Sequence, residues 1–119
     1  MKNLIKKHTI SFSHALDGLG WAWKTQPNYR IHFVLSCLVV LAGAFFNISA
    51  QEWTILVLTI TVGLVIETIN TALEATSDAI TKEWKEEIKI AKDAAAAAML
   101  TYALGSILVA AIIFIPKML

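Results

Sequence analysis

Residues 94–115 read AAAAAMLTYALGSILVAAIIFI and carry no charged side chain over 22 positions. A helix of about 20 apolar residues is long enough to cross the hydrocarbon core of a bilayer. The membrane interior has no water to satisfy unpaired backbone groups, and the stretch shows no alternating strand pattern, so it predicts a transmembrane helix. Pro116 and Lys117 follow directly and mark its end.

Two further apolar runs occur earlier in the chain. Residues 33–51 contain no charged residue, and residues 53–66 form a second run that helix-favouring residues extend further. We therefore predict an all-α integral membrane protein with membrane helices over 31–51, 53–80 and 93–116. The composition agrees, because 57% of the 119 residues are hydrophobic and only 16% are charged.

The residues before the first run predict a different kind of helix. Four apolar side chains recur at i, i+4, i+7 and i+11: Phe12, Leu16, Leu19 and Trp23. One face of this helix is therefore apolar, which is typical of a helix that lies on a membrane surface. Pro27 is expected to break it before the first span. We predict an amphipathic surface helix over residues 1–30, although a solubilising cap without a chemical role fits the same pattern.

Basic residues are distributed unevenly along the chain. Five precede the first apolar run, four separate the second from the third, and residues 47–52 contain none. They are Lys2, Lys6, Lys7, Lys24, Arg30, Lys82, Lys85, Lys89 and Lys92. By the positive-inside tendency, the N-terminus and the second loop are expected to be cytoplasmic.

Several functions are disfavoured by what the sequence lacks. A net charge of +1 provides no basic surface for nucleic acid. The single Cys37 can form no intrachain disulfide and no cysteine-based metal site. No GxxxxGK[ST] motif and no complete GxGxxG fingerprint is present, so a nucleotide site must be of another kind.

A polar stripe interrupts the second predicted membrane helix. Glu67, Asn70, Glu74 and Asp78 are spaced 3, 4 and 4 residues apart and project within roughly 60° of one another on a helix. Ionisable groups at membrane depth are costly and usually face a protein interior or a watery cavity, so Glu67 is a functional candidate. The structural alternative is a polar seam that holds helices together.

The stripe suits phosphoryl transfer assisted by magnesium. Carboxylates hold this hard cation, which in turn bridges nucleotide phosphates. Partial burial would make the carboxylate of Glu67 a stronger base, suited to taking a proton from a hydroxyl. Lys92 and Asp93 form the last charged pair before the third span, where a lysine can meet a phosphate. A basic flank that only orients the span is the alternative for this pair.

Two other classes of function fit an intramembrane carboxylate. A small proton-coupled exporter would also use Glu67 within a homo-oligomer. A structural membrane assembly factor would tolerate simultaneous changes at Glu67, Asn70 and Glu74. The exporter would need neither the Lys92-Asp93 pair nor a stripe that extends to the cytoplasmic side.

Two motifs carry a resemblance to a known family. The stretches Glu67-Thr-Ile-Asn70-Thr-Ala-Leu-Glu74-Ala-Thr-Ser-Asp78 and Ala91-Lys92-Asp93-Ala-Ala-Ala-Ala resemble the signature of the prokaryotic diacylglycerol kinases. The likeness covers nearly the whole chain. It implies a homotrimer of three-span subunits in the bacterial cytoplasmic membrane, with active sites shared between neighbouring chains. The implied reaction moves a phosphoryl group from MgATP to a lipid hydroxyl.

The resemblance also implies roles for particular residues. Glu67 would be the catalytic base. The implied nucleotide residues are His14, Gln26, Asn70, Glu74, Asp78, Glu83, Lys85, Lys92 and Asp93. The metal would be held by Glu74 and Gln26, and the lipid would be met by Asn28, Arg30, His32 and Glu67.

Gln26 departs from the family pattern, and two short stretches bear on the identity of the lipid. The family commonly has a metal-binding Glu where this sequence has Gln26, and an amide carbonyl is a weaker, neutral ligand. The Arg30-Ile31-His32 stretch and the alanine-rich run after Asp93 look closer to the undecaprenol kinases of Gram-positive bacteria than to enzymes that phosphorylate diacylglycerol.

Overall fold

Four helices account for most of the chain in a computed structural model, which describes the backbone of residues 2–119 and the side chains from Ser11 onward. They are α1 (Lys2–Thr25), α2 (Pro27–Phe45), α3 (Ala50–Ile80) and α4 (Glu86–Met118). The last three are long and apolar enough to cross a membrane, which agrees with the three predicted spans. The predicted bounds were wrong in part: α1 ends at Thr25 and not at residue 30, α2 occupies 27–45 and not 31–51, and α4 begins at Glu86 and not at residue 93. Met1 and the side chains of residues 2–10, including Lys2, Lys6 and Lys7, lie outside the described part.

The break between α1 and α2 falls at a single residue. Gln26 has an extended backbone, and Pro27 occupies the first position of α2. Proline fits there because its missing N–H would have no partner in the first helical turn. The sequence therefore ends one helix and starts the next at the position that Pro27 predicts.

A short turn connects α2 to α3 and is stabilised by a capping box. The backbone N–H of Ser49 donates to Glu52 Oε2 at 2.6 Å, and the N–H of Glu52 donates to Ser49 Oγ at 3.3 Å. These two bonds satisfy N–H groups that the start of a helix leaves unpaired. Lys117 Nζ lies 3.1 Å from Glu52 Oε1, so the end of α4 is tied to the same turn.

The α4 helix begins earlier than the charge-free part of the sequence. Residues 81–85 form an irregular loop, and Glu86 and Glu87 occupy the first turn of α4. Acidic side chains are favourable at this position because the helix N-terminus carries partial positive charge. The charged segment is thus continuous with the apolar run, and both belong to one helix of 33 residues.

The α3 helix is central. It contacts the other three helices, whereas α2 and α4 nowhere approach each other to within 8 Å between Cα atoms in the described residues. The best packed apolar cluster, around Ile48, Leu56 and Ile113, lies near the α2–α3 turn. Most other large apolar side chains face outward, which is the pattern expected where lipid is the solvent.

Candidate active site at the C-terminal end of α3

The polar stripe on α3 runs from a buried to an exposed position. Glu67 is only 2% exposed and Asn70 only 7%, Glu74 is half-buried, and Asp78 is exposed beside the loop that follows the helix. Since a helix rises 1.5 Å per residue, the stripe is about 16 Å long. It therefore connects a buried position among the apolar helices with an exposed, charged end of α3.

The buried end of the stripe contains two groups with unused bonding capacity. Glu67 Oε2 lies 4.0 Å from His32 Nε2 on α2, which is beyond hydrogen-bond distance. Asn70 Nδ2 donates to Glu74 Oε1 at 3.3 Å, while Asn70 Oδ1 is buried and has no partner among the described residues. Because buried polar atoms are nearly always paired in folded proteins, this oxygen marks a place where another group is expected to bind.

The exposed end of the stripe meets α4 through charged pairs. Lys92 Nζ lies 2.6 Å from Asp78 Oδ1 and thereby joins the two helices. One turn earlier on α4, Lys89 Nζ lies 2.5 Å from Asp93 Oδ2. A surface cleft of about 350 Å³ is lined by both pairs and by the loop between the helices.

This cleft brings together five residues that the sequence assigned to the nucleotide. They are Asp78, Glu83, Lys85, Lys92 and Asp93. The other five lining residues were not predicted: Thr81, Lys82, Trp84, Ile88 and Lys89. Lys89 could have been found from its i, i+4 spacing to Asp93, whereas the exposed indole of Trp84 gave no periodic signal because it lies in a loop.

Five site residues were predicted on α1 and around the start of α2, and only one of them lies against the stripe. His32 lies against Glu67. Asn28 and Arg30 are exposed, Gln26 is half-buried ahead of α2, and His14 is exposed on α1. Among the described residues no hydrogen bond or ion pair joins these four to the stripe. In a single chain the predicted site is therefore incomplete on the α1 and α2 side.

The described part of the chain holds no ready-made metal cluster. No group of three or more His, Cys, Asp or Glu side chains converges there. Magnesium in kinases is commonly held by one or two carboxylates together with substrate phosphates, so such a cluster is not required. Glu74 fits this pattern, because its half-buried carboxylate contacts the neutral amide of Asn70 and no basic side chain among the described residues.

Three apolar helices around an acidic stripe that ends in a charged cleft define a small multi-span membrane protein with a candidate site for phosphate chemistry. Comparison with known proteins agrees. The sequence model of the prokaryotic diacylglycerol kinases matches residues 13–114. The chain belongs to the prokaryotic diacylglycerol kinase family.

Individual relatives extend this result. The undecaprenol kinase of Bacillus subtilis (strain 168) is 35% identical over 117 residues, which cover 98% of this chain and 95% of the relative. The diacylglycerol kinase of a Synechocystis strain is 34% identical over 92% of this chain, which spans 63% of that relative. The diacylglycerol kinase of Escherichia coli (strain K12) is 26% identical over 78% of this chain and 82% of the relative.

The family and these relatives identify the chain as a lipid kinase, with ATP as the phosphate donor. The three apolar helices agree with a bacterial membrane protein. The comparisons give the exporter and the structural assembly factor no support.

Proposed function

We propose that this chain transfers the γ-phosphoryl group of ATP to the hydroxyl of undecaprenol at the cytoplasmic face of the bacterial cytoplasmic membrane. The observation that carries the proposal is the stripe on α3, which connects a buried carboxylate at Glu67 to an exposed charged cleft at Lys92. A lipid hydroxyl and a nucleotide have to meet across such a boundary. The whole chain, residues 1–119, then acts as one kinase unit.

The choice of lipid rests on similarity. The Bacillus subtilis relative, named undecaprenol kinase, aligns with almost the full length of both chains. Diacylglycerol is the second candidate, because the other relatives considered are named for it. Both lipids present a hydroxyl beside long apolar chains, so the same site chemistry serves either.

Glu67 is proposed as the catalytic base. Its carboxylate takes the proton of the lipid hydroxyl, the hydroxyl oxygen forms a bond to the γ-phosphorus, and the bond between that phosphorus and the bridging oxygen breaks to release ADP. Burial at 2% exposure keeps water away from this carboxylate. His32 Nε2 lies 4.0 Å from Glu67 Oε2, so a hydroxyl oxygen beside the pair would contact both groups.

Asn70, Glu74 and the charged cleft are proposed to serve the nucleotide. Lys92 would exchange its partner Asp78 for a phosphate, while Asp93, Glu83 and Lys85 border the same cleft. His14 and Gln26, the other two nucleotide residues that the resemblance implies, lie outside the stripe and the charged cleft. They are proposed to approach the nucleotide from α1 and from the start of α2.

Glu74 and Gln26 would hold magnesium. The unpaired oxygen of Asn70 and the carboxylate of Glu74, which has no basic partner among the described residues, are oxygen ligands of the type this ion prefers. When bound, the ion would offset negative charge on the phosphates during transfer. Asn70 keeps the carboxylate of Glu74 oriented through its amide N–H.

The α1 helix is proposed to lie on the cytoplasmic membrane surface, with the N-terminus in the cytoplasm. Its four apolar side chains at helical spacing, Phe12, Leu16, Leu19 and Trp23, are all exposed in a single chain. A helix with this apolar face is stable where the face enters the interfacial region of the bilayer. The distribution of basic residues supports the same orientation.

A homotrimer with shared sites is the proposed assembly. The predicted lipid-contacting residues Asn28 and Arg30 are exposed in a single chain, and no hydrogen bond or ion pair among the described residues joins them to the stripe. A neighbouring copy would supply the groups that a single chain leaves apart.

The test is transfer of labelled γ-phosphate from MgATP by the purified protein in mixed micelles that contain either undecaprenol or diacylglycerol. The Glu67→Gln variant serves as the control, since the amide keeps the shape of the side chain and cannot accept the proton. Labelled undecaprenyl phosphate that disappears in the variant supports the proposal. Labelling of diacylglycerol alone would replace the substrate, and no transfer to either lipid would overturn the proposed function.

A further inference from the structure

An apolar cleft opens where α2 and α4 fail to meet. Both helices pack on α3 but not on each other, and the space between them has a volume of about 280 Å³ with α3 as its floor. His32 lines one end of this cleft, and Val39, seven residues later on α2, lines it about 10 Å further along the helix axis. His32 lies 4.0 Å from Glu67, so this end of the cleft is one residue away from the proposed base.

The hydroxyl groups along the cleft are all committed to the protein backbone. Each donates to a carbonyl oxygen: Ser36 to His32 at 2.8 Å, Thr59 to Ile55 at 2.8 Å, Tyr102 to Thr59 at 2.7 Å and Ser106 to Ala103 at 2.9 Å. The hydroxyl hydrogens are thus used within the protein, and the remaining lining side chains apart from His32 are apolar. The cleft therefore presents an essentially apolar surface, which suits hydrocarbon.

We propose that this cleft holds the first segment of the hydrocarbon chain of the lipid substrate, and that Tyr102 is the wall that restricts it to one chain. The inference rests on the proposed function. A lipid alcohol has to bring its hydroxyl to Glu67 while its chain stays in apolar surroundings. The cleft begins at His32, next to Glu67, and continues along the apolar parts of α2, α3 and α4.

Tyr102 is fixed tightly enough to act as a wall. Its ring lies against Gly63 so closely that even a methyl group at that position would overlap it. Its hydroxyl donates to the Thr59 carbonyl, which adds a second contact with α3. On its other side lies a second cleft of about 360 Å³, which His32 does not line. Tyr102 lines both clefts and so helps to separate them.

The separation of the two clefts favours a lipid with one hydrocarbon chain over a lipid with two. A polyprenol has one chain, which the cleft beside His32 can accept alone. A diacylglycerol has two, and the second would have to remain outside while Tyr102 keeps the clefts apart. Thr59, Ser106 and Val109 line both clefts as well, so truncation of Tyr102 would open the partition beside Gly63 and provide room for a second chain there.

The cleft is expected to position the lipid hydroxyl for reaction and not to bind the hydrocarbon chain more tightly. A hydrocarbon chain that moves from lipid into an apolar protein surface gains no hydrophobic free energy, because both surroundings are apolar. Correct placement of the hydroxyl beside the base can nevertheless change the rate by orders of magnitude. The expected effect therefore falls on kcat/KM for the lipid, with KM for MgATP unchanged.

The experiment compares a cleft-filling variant with a matched control. Ala103 lines the cleft on α4, so Ala103→Leu would fill it, whereas Ala44 is exposed on α2 and does not line it. Phosphate transfer to undecaprenol, diacylglycerol and a monoacylglycerol is measured for both variants, along with Tyr102→Ala and Tyr102→Phe.

We expect Ala103→Leu to lower kcat/KM for undecaprenol about tenfold and Ala44→Leu to leave it unchanged. Tyr102→Ala should shift the ratio of kcat/KM values toward diacylglycerol about tenfold, while Tyr102→Phe keeps the wild-type ratio because it keeps the ring. If Ala103→Leu and Tyr102→Ala both keep the lipid kinetics of the wild-type protein, the cleft assignment is overturned while the proposed function stands.

Two further outcomes are distinct. If Ala103→Leu changes the oligomeric state in detergent, whereas Ala44→Leu does not, a second copy of the chain occupies the cleft and the lipid assignment is overturned. If the wild-type protein labels no lipid at all, the proposed function fails, independently of the cleft.

Discussion

The imidazole of His32 and the carboxylate of Glu67 face each other across the boundary between α2 and α3, with Nε2 4.0 Å from Oε2. This distance is too long for a direct hydrogen bond, but a single hydroxyl oxygen could lie within hydrogen-bond distance of both groups. Glu67 is almost fully buried, while His32 remains about a quarter exposed on its side chain. The pair lies at the inner end of the acidic stripe, where we propose that the substrate hydroxyl binds.

Replacement of His32 by Leu should therefore lower kcat for lipid phosphorylation about tenfold, because the hydroxyl loses one of two groups that position it. His32→Gln keeps a polar side chain of similar reach and should retain most of the activity. Steady-state kinetics with lipid and MgATP varied separately distinguish the two effects. A rise in KM for MgATP with unchanged kcat would show that His32 does not act on the lipid hydroxyl.

The Asp78–Lys92 pair provides a separate prediction for the nucleotide. Both side chains are substantially exposed, and exposed ion pairs stabilise proteins by on the order of 1 kcal/mol or less. Lys92→Ala should hence leave thermal stability nearly unchanged and raise KM for MgATP about tenfold, because a phosphate contact is lost.

A charge exchange serves as the control for this pair. The double variant Asp78→Lys, Lys92→Asp restores an ion pair between α3 and α4 but places the charges at the wrong positions for a phosphate. We expect normal stability and poor activity. Recovery of activity in the double variant would mean that the pair matters only for packing of the two helices.

The substitution at Gln26 predicts a change in the requirement for magnesium. Gln26 lies directly ahead of α2 and makes no side-chain capping bond. Gln26→Glu would supply a charged ligand in place of a neutral amide, so half-maximal activity should occur at about tenfold lower magnesium concentration. Titration of activity against free magnesium at saturating ATP measures this.

The matched control is Gln26→Ala, which removes the oxygen ligand and should have the opposite effect. If Gln26→Glu and Gln26→Ala require the same magnesium concentration as the wild-type protein, position 26 contributes nothing to the metal. The negative charge that Gln26→Glu introduces would also interact favourably with the N-terminus of α2, so a loss of folding is not expected.

Sequence reasoning predicted the spans and the stripe because each depends on local patterns. A charge-free run long enough for a bilayer identifies α4, and the 3, 4 and 4 spacing from Glu67 places the stripe on one face whatever its surroundings. Contacts between helices were not accessible in the same way. The Tyr102–Gly63 contact and the Lys117–Glu52 pair depend on the register of α4 against α3, which no local pattern specifies.

The final prediction concerns the packing of α4 against α3. Gly63 has no side chain, and a Cβ at this position would overlap the ring of Tyr102. Gly63→Ala should lower stability by about 1–3 kcal/mol, since the ring has to move and its bond to the Thr59 carbonyl has to break. Thermal unfolding in detergent micelles measures the change.

Gly105 on α4 provides the matched control, because a Cβ there meets nothing within 4 Å. Gly105→Ala should be neutral or stabilising, since alanine favours helix over glycine by about 1 kcal/mol. Tyr102→Ala in the Gly63→Ala background should cost less than the two single changes added together, because the overlap disappears with the ring. Strict additivity of the two changes, or equal effects of Gly63→Ala and Gly105→Ala, would show that the ring does not pack on Gly63.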